Sequence, residues 1–254
     1  MKAREETIPP HGPGKVEPQV SVMNSIKRRA RLAGLFYLLL VVTNVSGLLC
    51  GPLVLGSAKA LADTITASDF RFRVSIVSDL LSLVSGVFLI LLLYELLKPV
   101  NNRLAVLMVV LFLMSAPVSL VLTLNDVAAQ MLLSDATFLS EFTRPQLDAL
   151  AMVFLRLHIQ GVFAVEMFWG LWLFPFGILV FNSRFLPRVL GVFLIIAGVA
   201  YVAHCIVSLL LPDHQSVIYE RATMVGRAGE VPIILWLLIK GANADDSLGE
   251  PDGA

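Results

Sequence analysis

Residues 27–55 read KRRARLAGLFYLLLVVTNVSGLLCGPLVL: the cations Lys27, Arg28, Arg29 and Arg31 stand immediately before an apolar run from Leu32 to Leu55. An α-helix rises about 1.5 Å per residue and the hydrocarbon core of a bilayer is about 30 Å thick, so this run is long enough to cross it. A basic cluster at the start of a first span holds that end in the cytoplasm. A cleaved signal peptide is the rival reading, because Ala60-Leu61-Ala62 has the small-x-small pattern of a cleavage site. The run is longer than the apolar core of a signal peptide, which favours a retained helix.

The same pattern recurs along the chain. Further apolar spans run over Phe72–Leu97, Leu104–Leu133, Ala151–Phe181, Val189–Leu211 and Ala222–Ile239. With 57% hydrophobic residues and a mean hydropathy of +0.82, the chain lies outside the soluble range. Its 19 basic and 19 acidic residues cancel, which argues against a nucleic-acid partner. The expected architecture is all-α: a polytopic transmembrane bundle of six helices over 26–241, with the bilayer as its first partner. Polar segments 1–25, rich in proline, and 242–254 are expected to be disordered cytoplasmic tails.

Short connections at Lys98–Arg103 and Asn182–Arg188 carry Lys98, Arg103, Arg184 and Arg188, and belong inside by the positive-inside rule. An even number of spans then places both termini in the cytoplasm. Arg31-Leu32-Ala33-Gly34, Arg103-Leu104-Ala105-Val106 and Arg188-Val189-Leu190-Gly191 open spans one, three and five alike, as three repeated helical hairpins would. Any inward-starting helix also begins with an arginine and small aliphatics, so the repeat and the coincidence both stand.

Ionisable residues inside apolar spans are costly, about 2.5–3.5 kcal/mol each at a helix centre on insertion scales, so they should face one another. Depths counted from the inner helix ends put Glu230, Arg227, Glu166 and His204 deepest, with Asp79, Asp126 and His158 near the outer boundary. These seven form the candidate polar pocket, opening away from the cytoplasm. Ser75, Asp79, Ser82 and Gly86 share one helical stripe; Ser115, Ser119, Thr123, Asp126 and Gln130 share another. Arg227 and Glu230 have the i, i+3 spacing of an ion pair. The competing reading is a packed bundle whose charges neutralise pairwise and whose small polar residues let helices approach. Pro117, Pro175 and Pro232 should kink their helices, and Gly47 and Gly51 have the spacing of a helix-contact motif.

His158 and His204 on neighbouring helices raise the question of haem ligation. Neither lies in a ligand-spaced motif, and an intramembrane histidine more commonly bonds a carboxylate such as Glu166, so no cofactor and no metal are expected. No nucleophile elbow, phosphate-binding glycine loop or paired CxxC is present, which removes support for hydrolase, nucleotide and zinc-ribbon chemistry and makes a non-enzymatic role the expectation. Cys50 and Cys205 both fall toward outer helix ends, and spacing does not decide whether they pair.

From Arg29 onward the chain resembles a family of bacterial integral membrane proteins catalogued as domain of unknown function 4386. The stretches that carry the likeness are Arg31–Leu38, Phe72-Arg73 through Asp79-Leu80-Leu81, and Leu93–Asn101. Ser183–Gly191, Ala197–Tyr201 and Gly229-Glu230 complete it. The resemblance implies a multi-pass protein of the bacterial plasma (inner) membrane and supplies no catalytic residues. Two roles follow as expectations: a polar site for a small solute, ion or proton, or a structural or regulatory subunit that binds another membrane protein.

Overall fold

The computed structural model describes residues 17–51, 57–134, 136–211 and 215–242, with side chains from Ser25 onward except those of 215–223. Among the described residues the regular structure is helical, without strands. It comprises α1 (Glu17–Cys50), α2 (Ala58–Ala67), α3 (Asp69–Leu97), α4 (Asn102–Leu133), α5 (Arg144–Leu171), α6 (Leu173–Asn182), α7 (Arg188–Leu210) and α8 (Gln215–Ile239). A short 3-10 turn, Thr137–Leu139, lies between α4 and α5. Helical backbone from Glu17 enters the segment whose composition suggested a tail, and the earlier residues and those after Ala242 lie outside the described ones.

Five stretches are long and apolar enough to cross a membrane: Ser25–Cys50, Asp69–Leu97, Asn102–Leu133, Arg144–Asn182 and Arg188–Leu210. The sixth expected span falls in α8, whose side chains are described only from Met224. The burial pattern is inverted relative to a water-soluble bundle. On α3, Ser75, Ser78 and Ser85 are buried while Val77, Leu81, Val84 and Phe88 are exposed; on α4, Ser115, Thr123, Asn125 and Asp126 are buried while Met114, Val121 and Leu124 are exposed. Continuous apolar surface of that kind would drive association in water and suits a lipid surround.

Helix ends follow local chemistry. Asn101 caps α4, its side-chain oxygen accepting the Leu104 N–H at 3.1 Å. Thr143 and Gln146 form a capping box at the start of α5, with the Thr143 N–H donating to Gln146 Oε1 at 2.9 Å. Pro175 has no N–H for the Leu171 carbonyl, and the long fourth span breaks into α5 and α6 at Trp172. Helices α4 and α8 continue through Pro117 and Pro232.

Helix α2 is absent from the hydropathy reading. Its buried Leu61, Ala62 and Ile65 pack with Phe72, Ile76, Ala129, Leu133, Ala151 and Leu155, so Ala60-Leu61-Ala62 is a packed helical turn. The larger core lies further along the bundle and centres on Tyr37, Leu93, Leu97, Met108, Trp172, Phe176, Leu194 and Leu237.

Sequence neighbours form the most extensive pairs: α1 with α3, α4 with α5, and α7 with α8. Helices α5 and α6 press onto α7 through glycines. A Cβ at Gly170 would lie 2.7 Å from the Gly198 carbonyl oxygen, and one at Gly177 would lie 2.8 Å from that of Gly191. At the basic end, Arg29 stands 3.6 Å from Glu95, and Lys98 bonds Glu95 at 2.8 Å. Gly241, at φ +70°, ends α8 against the Lys27 carbonyl and gives the left-handed turn a Cβ would strain. The start of α1 and the ends of α3 and α8 therefore share one end of the bundle.

Candidate functional site

The buried polar side chains divide by what they bond. Small hydroxyls largely return to their own helix: Ser75 to Phe72 O, Ser85 to Leu81 O, Ser115 to Phe112 O, and Thr123 to Ser119 O. Those bonds satisfy donors in an apolar surround and leave the stripes on α3 and α4 as contact faces. The ionisable groups cross between helices instead, and they do so in separate clusters.

The first cluster joins α3, α4 and α5 toward the end opposite the basic residues. Asp79, Asp126 and His158 each offer a ligand-type atom, all within 4.8 Å of one another. His158 Nδ1 is 2.9 Å from Asp126 Oδ2 and 3.1 Å from the Leu122 carbonyl oxygen, so Nδ1 carries the proton and donates to these acceptors. Among the described residues, the Asp79 carboxylate makes no hydrogen bond. It occupies the space that Gly47 leaves on α1, where a Cβ would meet Asp79 Oδ1 at 2.6 Å. Two carboxylates at this separation repel by about 3.5 kcal/mol at an effective dielectric constant of about 20.

The second cluster lies between α5 and α7. His204 Nδ1 bonds Glu166 Oε2, and Ser208 Oγ lies 3.1 Å from His204 Nε2. A carboxylate, an imidazole and a hydroxyl are thus bonded in series, with Glu166 3%, His204 0% and Ser208 3% exposed. The Phe163 ring stands edge-on to the imidazole at 5.6 Å. Backbone contact between Gly170 and Gly198 brings the two helices close enough for the chain to close.

The third cluster ties α1, α7 and α8 together. Tyr37 donates to Glu230 Oε2, and Tyr201 donates to Glu230 Oε1 at 2.9 Å. Gly226, one turn before Glu230, makes room for the Tyr201 ring, whose Cζ would stand 3.0 Å from a Cβ there. Tyr37 also approaches Trp172 at the α5–α6 break, with ring centroids 6.3 Å apart. Arg227 is exposed, and Glu230 takes tyrosine partners where spacing suggested an ion pair with Arg227.

The seven residues singled out in the sequence are therefore distributed. Asp79, Asp126 and His158 meet; Glu166 and His204 meet; Glu230 is held by tyrosines; and Arg227 is exposed. Among the described hydrogen bonds, His158 and His204 belong to different clusters, each bonded to a carboxylate, which is not the facing pair that haem ligation needs. Sequence reasoning missed Tyr37, Tyr201 and Ser208, and marked Gly47 only as a helix-contact glycine. Tyr201, His204 and Ser208 recur at i, i+3 and i+7, and that periodicity was the available signal.

Residues 32–241 match a family model described as a domain of unknown function (DUF4386), and the chain belongs to that family. No curated protein and no solved structure matches it.

Proposed function

We propose that this member of the DUF4386 family is a six-span protein of the bacterial plasma membrane, both termini cytoplasmic, whose mid-bundle carboxylates take up and release a proton in handling a small solute or ion. The observation that carries the reading is the buried series Glu166, His204, Ser208, an acid, an imidazole and a hydroxyl bonded in order across two helices. Such chains are the means by which protons move where water is scarce, and an ionisable residue is retained in a span at a cost that packing alone does not require. Glu230, with its two tyrosines, adds a second carboxyl, held on α8 by donors from α1 and α7. Basic residues are somewhat denser at the end with Arg29 and Lys98 than at the end with Arg71, Arg73 and Arg144, a modest bias in favour of cytoplasmic termini.

A structural or regulatory subunit is the second reading. It draws on Glu230, whose two oxygens are both occupied and which thereby fastens α1 and α7 to α8. Infrared difference spectroscopy of the purified chain between acidic and alkaline buffer separates the two. Proton handling predicts carboxyl C=O bands that appear on acidification, shift in D2O, and are lost in Glu166→Gln and Glu230→Gln. Bands unaffected by either substitution, or carboxyls that never exchange, would leave the structural role and a lateral membrane-protein partner as the better account.

A further inference from the structure

We propose that Asp79, Asp126 and His158 bind a divalent transition-metal ion of the zinc class at the bundle end opposite the basic residues. The inference is independent of the proton-handling reading, which concerns other residues on α5, α7 and α8. Its basis is a mixed ligand set, two carboxylates and an imidazole from three helices, with their donor atoms within 4.8 Å of one another. Zinc bonds oxygen and nitrogen at about 2.0–2.2 Å, which puts tetrahedral ligand atoms about 3.4 Å apart, so the cluster closes on an ion by side-chain adjustment of about an ångström. Three protein ligands leave a fourth position open to water or to an incoming ligand.

One further observation points to a cation. Asp79 lacks a hydrogen-bond partner among the described residues, although it is only partly exposed and faces a second carboxylate. A metal ion would satisfy both anions at once. The ion would take the place of the proton that His158 Nδ1 now shares with Asp126 and the Leu122 carbonyl, since metal ligation displaces ligand protons. The imidazole favours a transition metal over calcium or magnesium, which prefer sites built wholly of oxygen. The His158 side chain is 24% exposed, which gives an ion a route in. No local motif announces the site because its ligands come one from each of α3, α4 and α5.

The test uses the full-length chain, purified in mild detergent, stripped of metal and dialysed against Zn²⁺ alone, with bound zinc counted by mass spectrometry. One zinc per chain is expected, bound about tenfold or more weakly in Asp126→Asn and His158→Gln. Glu166→Gln and Glu230→Gln should bind as the parent does. Absence of stoichiometric zinc, undiminished binding in Asp126→Asn and His158→Gln, or equal loss from the two glutamate variants would each overturn the site. Because a misfolded variant also loses metal, His158→Cys provides a second readout with Co²⁺. A thiolate in the ligand position adds a sulfur-to-metal charge-transfer absorption, and a cobalt spectrum that the substitution leaves unchanged counts against the proposal.

Discussion

Replacing Glu230 with leucine should destabilise the bundle through the two tyrosines it abandons rather than through the carboxylate itself. Tyr37 is 1% exposed and Tyr201 is 7% exposed, and each donates its hydroxyl to one Glu230 oxygen. A buried donor left without an acceptor costs about 1–3 kcal/mol, so Glu230→Leu is expected to cost about 2–6 kcal/mol. Tyr201→Phe alone removes one interhelical bond, and such bonds in membrane proteins average about 0.6 kcal/mol with a maximum of about 1.7. The decisive variant is the triple one, Tyr37→Phe, Tyr201→Phe and Glu230→Leu, in which no polar group remains to be satisfied. It should recover most of the loss and unfold within about 1 kcal/mol of the parent, as fully apolar replacements of buried polar networks do. Unfolding in mixed dodecylmaltoside and dodecyl sulfate micelles, followed by tryptophan fluorescence, measures all of these. Trp172 lies beside Tyr37 and reports the site directly. If Glu230→Leu is no less stable than the triple variant, the tyrosine hydroxyls do not depend on the carboxylate and the argument fails.

Two other outcomes follow from the packing. Gly177→Ala places a methyl 2.8 Å from the Gly191 carbonyl oxygen and 2.7 Å from Ile195 Cγ1, and should cost about 1–3 kcal/mol in the same unfolding assay; parent-like stability would mean that α6 and α7 are not in backbone contact. Cys50 and Cys205 are both free, so alkylation after denaturation without reductant should modify two thiols per chain, whereas in the folded protein Cys205, at 1% exposure, should stay protected. No modified thiol would indicate a bridge between them.

The spans were legible because hydropathy is summed over about 20 residues and small errors average out. The α5–α6 break falls where Pro175 led us to expect a kink, but Pro117 and Pro232 give the same local signal inside helices that continue through them. Helix α2 was not legible: its ten residues, AKALADTITA, are too few and too mixed to register as a span, and its helix is justified only by the surface that Leu61, Ala62 and Ile65 cover. The ionisable residues stood out individually, because any charge in an apolar run does. Their partners were legible only in part. Depth counting put Glu166 and His204 at one level, where the structure bonds them, but the same count gave no reason to choose Tyr37 and Tyr201 over Arg227 for Glu230. Tyrosine is at home in a membrane span, so its hydroxyl carries no signal until a carboxylate faces it. Gly47 and Gly51 show the same limit. Their spacing suggested a shared contact face, yet Gly47 receives Asp79 from α3 while a Cβ at Gly51 would meet only its own helix, at the Gly47 carbonyl.

The arrangement of the clusters bears on how they could act together. Three stretches that carry the family likeness, around Tyr37, around Tyr201 and at Gly229-Glu230, converge on one carboxylate, which joins α1, α7 and α8. Asp79, from another such stretch, stands in the cluster that joins α3, α4 and α5. Helix α5 carries both His158 and Glu166, eight positions and about 12 Å apart along its axis, so it is the element shared by the outer cluster and the buried acid–imidazole–hydroxyl series. Its lower end is the break at Trp172, where Pro175 has removed a backbone bond and Phe112, Phe176 and Tyr37 pack around the indole. A helix interrupted there can tilt as a rigid segment above the break with little loss of internal hydrogen bonding.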